Sequence, residues 1–79
     1  MLSTDIKKLI KEMPERKFEF KVICSESTGN YIVLFIDGNL FTRVSSKRKD
    51  NRIFKTLEAA QKCILEMGRN SFSVTYKNF

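Results

Sequence analysis

The stretch Tyr31-Ile32-Val33-Leu34-Phe35-Ile36-Asp37-Gly38-Asn39-Leu40-Phe41-Thr42-Arg43-Val44-Ser45 decides the fold. Its first six residues are apolar at every position and rich in β-branched and aromatic types, so they read as a strand that wants cover on both faces. Asp37-Gly38 follows at once and is the strongest hairpin signal in the chain, since a type I′ turn needs positive φ at both central residues. Leu40 to Ser45 is the return strand, with Leu40, Thr42 and Val44 expected on one face. Two antiparallel strands are therefore the centre from which the other elements are placed.

Upstream, Phe18, Phe20, Val22 and Cys24 alternate with Lys17, Glu19, Lys21 and Ile23, the period of a strand buried on one side. Ser25 to Asn30 is turn-rich, with Gly29-Asn30 as the expected reversal. Before that, Ile6, Leu9, Ile10 and Met13 fall on one helical stripe, with Ser3 or Thr4 as the expected cap and Asp5 in the first turn. Pro14 ends this helix by disfavouring helical geometry at Met13. Downstream, Thr56 is a natural N-cap, Leu57, Ala60, Ile64 and Met67 share a stripe, and Gly68 can take the left-handed position that closes the helix. Phe72, Val74 and Tyr76 then alternate with Ser71, Ser73, Thr75 and Lys77 as a last strand.

The order αβββαβ predicts an α+β fold in one domain spanning residues 1–79: a mixed, mostly antiparallel four-stranded sheet with two helices on one face. Three strands in a meander run up, down and up. The last strand then runs parallel to the first or third through a right-handed crossover. Ile23, part of Tyr31–Ile36 and Phe41 are left on the other face. A partner, a second copy or a long loop has to cover them, and homodimerisation through this face is one expectation.

The composition excludes most catalytic chemistry. There is no histidine, which removes the commonest general base, the commonest zinc ligand and every Ser-His or Cys-His nucleophile pair. Cys24 and Cys63 fall on apolar stripes and read as small buried hydrophobes. The carboxylates are scattered among lysines as on a solvated face, and the three glycines form no phosphate-cradling loop. No catalytic residue, metal site or cofactor is expected. The longest apolar run is far too short to span a bilayer, and no signal-peptide pattern precedes the first cysteine, so a cytoplasmic location is expected.

Charge is where the chain is distinctive. Residues 1–39 carry six basic and six acidic side chains, whereas residues 40–79 carry nine basic and three acidic, the source of the whole net charge of +6. Five cations, Lys47, Arg48, Lys49, Arg52 and Lys55, fall within nine residues. Such a segment suits a polyanion, because each cation that neutralises a phosphate releases a condensed counterion; a solvated loop that aids solubility is the plainer alternative. Arg43, Lys47, Arg48, Lys49, Arg52, Lys55 and Lys62 are the candidate contacts, with the backbone N–H groups opening the second helix as further donors and Arg69 able to extend the footprint. Asn51 and Arg52 can read base edges if the segment lies in a groove, Arg pairing with guanine and Asn with adenine, but read better as an Asx-type turn and a phosphate clamp.

The run Tyr31 to Phe41, the basic segment, and Phe54-Lys55-Thr56-Leu57-Glu58-Ala59-Ala60 together resemble the β-hairpin and Phe-x-Thr-x-x-Glu-Ala helix module, with Glu58 one position ahead of that module's glutamate. That module occurs in the arm-binding domains of phage integrases and in the ethylene-response-factor type of DNA-binding domain. This resemblance implies a three-stranded sheet in the DNA major groove, with Arg43, Lys47, Arg48 and Arg52 as contacts. Residues Tyr31–Ile36 depart from that pattern in being apolar where a groove-facing strand carries polar side chains. The helix–three strands–helix order with a basic entry to the second helix is also similar to the double-stranded RNA-binding domain, which places lysines across the RNA major groove. In style the chain resembles small accessory proteins of phages and plasmids, including partition-associated proteins and anti-CRISPR inhibitors. That likeness implies docking on an acidic protein or ribonucleoprotein surface. The expected function is thus non-catalytic binding of DNA or RNA, and the alternative is an accessory or inhibitor protein.

Overall fold

Local signals and long-range pairing combine to give α1 (Ser3–Glu12), β1 (Phe18–Ser25), β2 (Tyr31–Asp37), β3 (Leu40–Arg43), α2 (Leu57–Glu66) and β4 (Ser73–Lys77). The structure is a computed structural model that describes residues 1–45 and 53–77. The four strands lie in the order β3-β2-β1-β4. The β1–β2 and β2–β3 pairs are antiparallel, and β4 runs parallel to β1, one of the two places expected for it.

One face of the sheet carries the core. Phe18, Phe20 and Val22 of β1 and Val33 and Phe35 of β2 are buried with Ile6 and Ile10 of α1 and Ala60, Cys63, Ile64 and Met67 of α2. Both helices therefore cover the same face. Phe35 lies between Phe18 and Phe20, with ring centroids 5.1 and 5.5 Å away. Cys24 and Cys63 are both buried, as small hydrophobes in a core would be.

Three local features differ from the sequence reading. The β2–β3 turn has Gly38 and Asn39 at its centre, because Asp37 pairs with Leu40. Gly38 has φ +61° and no non-glycine residue has positive φ among the described residues, so the turn follows the type II′ pattern rather than I′. The return strand also ends early. Val44 still donates to the Val33 carbonyl, but Ser45 leaves the sheet to bond the chain start, donating to Met1 O at 2.8 Å. That detour explains the third difference: α1 is capped by Leu2 without a side-chain bond, and the Ser3 N–H finds the Ser45 carbonyl at 2.9 Å instead.

α2 follows its sequence signals at both ends. The Thr56 hydroxyl accepts from Ala59 N–H at 3.1 Å. At the other end Gly68 N–H donates to Leu65 O and Arg69 N–H to Ile64 O, the paired bonds of a Schellman motif, with Gly68 at φ +104°. Thr56→Ala removes the N-cap acceptor and is expected to lower stability by about 1 kcal/mol, read as a reduced urea midpoint with an unchanged slope.

Candidate nucleic-acid interface

The basic segment is held at both ends on one sheet edge. Before it, Val44 is hydrogen-bonded to Val33. After it, Phe54 returns to β2 and exchanges both backbone bonds with Tyr31, at 2.7 and 2.8 Å, while its buried ring joins the core. Val33 and Tyr31 are two positions apart, so the ends of the segment meet β2 about 7 Å from one another. Both ends lie on the β3 side of β2, the side away from β1.

Lys47, Arg48, Lys49 and Arg52 lie outside the described residues. The other candidates are spread over different surfaces. Arg43 is the last residue of β3 and pairs with Leu34, which puts it on the face away from the helices. Its Nε is buried without a hydrogen-bond partner among the described residues. Lys55 is exposed beside the entrance to α2. Lys62 is on the solvent side of α2, with Glu58 and Glu66 four residues before and after it. Those carboxylates neutralise the ridge, making Lys62 the weakest of the described candidates.

The α2 N-terminus is also less open to an anion than its sequence implies. Thr56 already satisfies one of the free N–H groups, and Glu58 brings a negative charge to the first turn. Arg69 is engaged elsewhere: its Nη2 donates to the Arg16 carbonyl at 3.3 Å. Arg16 in turn pairs with Asp37 at 3.0 Å. Among the described candidates, Arg43 and Lys55 are the two that flank the basic segment in the chain.

Three cross-strand rows fill the middle of the face bearing Arg43, beyond the pair Ser25 and Lys77 at one end. Thr75, Ile23 and Ile32 form one, Ser73, Lys21, Leu34 and Arg43 the next, and Glu19, Ile36 and Phe41 the third. Ile32, Leu34 and Ile36 are half-buried, and Phe41 is 69% exposed. Ile23 is buried although it lies outside the helix-covered core, and with Ile32 and Ile53 it lines an apolar depression of about 180 Å³. Ile53, at the end of the basic segment, thus gives this end of the face part of its cover. Lys21 was missed as a candidate because it belongs to the half of the chain with no net charge. Its shared parity with Ile23, opposite to Phe20 and Val22, was the available signal.

On the helix side, Cys24 stands opposite both Tyr31 and Tyr76. Desolvation, helped by the Cys24 thiol and by Tyr76, holds the Tyr31 phenol above its ordinary pKa. That is the reverse of what an activated phenolate nucleophile needs. Among the described residues no three His, Cys, Asp or Glu side chains gather as a metal site, and no helix is long and apolar enough to cross a membrane. No protein-family model, curated protein or solved structure matches the chain, so its function has to be argued from this chemistry.

Proposed function

We propose that the protein binds nucleic acid without catalysis, gripping backbone phosphates with Arg43, Lys47, Arg48, Lys49, Arg52 and Lys55. The observation that carries this reading is charge segregation. The entire +6 arises after residue 39, with five cations in nine residues, and the core-bound Phe54 and the Val44–Val33 bond fasten that segment to the sheet edge at both ends. Phosphate contacts of this kind position a protein on a duplex and carry no sequence information directly.

Fluorescence anisotropy against labelled random duplex DNA and duplex RNA, each titrated with salt, tests the reading. With four to six phosphates neutralised, log Kobs against log salt on duplex DNA is expected to fall with a slope of about −4 to −5. Micromolar binding at low salt with that slope supports the proposal, and the tighter of the two duplexes names the nucleic acid. No binding to either duplex at low salt overturns it.

A further inference from the structure

We propose that the open face of the sheet is the docking surface for an acidic amphipathic α-helix of a partner protein. The face combines an apolar stripe with cations on both sides of it. Ile32, Leu34 and Ile36 run along β2, with Ile23 and Phe41 beside them on the neighbouring strands. From Ile32 to Ile36 is about 13 Å of strand, a little over two turns of helix. In the middle row Lys21 stands on one side of Leu34 and Arg43 on the other. They are two strand spacings apart, about 10 Å, and a helix with its side chains is about 10–12 Å across. A helix laid along β2 would therefore sit between the two cations, its apolar face on the isoleucines and its flanking carboxylates beside Lys21 and Arg43.

Charge selects this occupant over a second copy of the chain. A two-fold stack centred on Leu34 would bring both copies' Lys21 and Arg43 into one layer, with Glu19, in the outer row beside Ile36, as the one acid each copy contributes among the described residues of this face. Like charges brought together without water are costly. An acidic helix relieves that repulsion, its carboxylates lying beside Lys21 and Arg43. The arrangement is helix-in-groove recognition with the groove replaced by a flat stripe bounded by cations. With α1 and α2 on the opposite face, the docked helix completes a three-layer sandwich.

The test uses the full chain and two synthetic 18-residue helical peptides. Both carry leucine at i, i+3, i+4 and i+7; one has glutamate and the other lysine on its flanks. Methyl and amide NMR titrations map binding, and sedimentation gives the oligomeric state at the same concentrations. The acidic peptide is expected to bind at least tenfold tighter than the basic one and to shift the methyls of Ile32, Leu34 and Ile36 and the Phe41 amide. Leu34→Glu puts a carboxylate between the two cations and is expected to weaken acidic-peptide binding at least tenfold while leaving duplex affinity unchanged. The double substitution Lys21→Glu with Arg43→Glu reverses the peptide preference, and it decides the matter if Leu34→Glu does not fold.

Equal binding of both peptides, or shifts confined to other surfaces, overturns the proposal. So does a sedimenting dimer with contacts between copies at Ile32, Leu34 and Ile36, because a second copy is then the occupant. Single-stranded RNA or DNA that shifts these methyls more strongly than the acidic peptide overturns it in favour of nucleic acid. Arg43 belongs to both proposals, so the two are separated by the peptide-induced shifts at Ile32, Leu34 and Ile36 and by Leu34→Glu, which remove no proposed phosphate contact.

Discussion

The combined substitution Lys47→Glu, Arg48→Glu and Lys49→Glu is expected to lower duplex affinity roughly hundredfold or more at 0.1 M salt while leaving the circular dichroism spectrum unchanged. Three lost phosphate contacts remove about 2.7 from the salt slope. A contribution of that slope fades toward 1 M salt and amounts to roughly 10²- to 10³-fold at 0.1 M. Placing carboxylates where cations stood adds repulsion. The variant also brings the net charge of the chain from +6 to zero, so a control is needed to separate a site from a general field. Lys7→Glu, Lys8→Glu and Lys11→Glu on the exposed side of α1 make the same change in net charge. That control is expected to cost at least tenfold less than the segment variant, since it changes the general field, which salt screens, and removes no phosphate contact. Equal losses in the two variants would mean that total charge alone draws the duplex, and the segment would lose its role.

What could be read from the sequence was what neighbouring residues encode. The Thr56 cap, the Gly68 close, the Pro14 stop and the alternation of Phe18, Phe20 and Val22 depend on residues within a few positions of one another, so their pattern carries the answer. Element order then limits the strand arrangement through direction alone, which is why β4 could be assigned to a parallel place before its partner was known. Features that depend on distant parts of the chain were not legible. Nothing near Ser3 indicates that its N–H will be taken by Ser45, more than forty residues away, and so a serine suited to capping sits inside the helix instead. The turn type failed for a smaller reason: pairing of Asp37 with Leu40 moves the two central positions one residue along, to Gly38 and Asn39. The candidate interface divides in the same way. Charge density along the chain pointed to residues 43–55, but only register shows that Lys21, Leu34 and Arg43 form a row. The two glutamates bracketing Lys62 were visible in the sequence and indicate a neutralised ridge once the helix is placed.

Phe35→Ala is expected to cost about 3–5 kcal/mol, the range for removing a fully buried aromatic ring from a core. A domain of this size has roughly 4–12 kcal/mol of stability in total, so the variant should lose from about a quarter to all of it, read as a large fall in the urea midpoint or as unfolding at 37 °C. Phe35 is 3% exposed and lies between Phe18 and Phe20 on the face that both helices cover, so little can collapse into the space it leaves. Ile36, the next residue in the chain, points to the open face and is only half-buried. Ile36→Ala is therefore expected to cost about 1 kcal/mol in the isolated protein. Urea denaturation of the two variants turns the parity of β2 into a measurement. A large gap between adjacent residues is the signature of one covered face and one open face. If Ile36→Ala costs as much as Phe35→Ala, the second face is already covered in the free protein. Concentration dependence of the midpoint then shows whether another copy of the chain covers it, because an interface between copies makes stability rise with protein concentration.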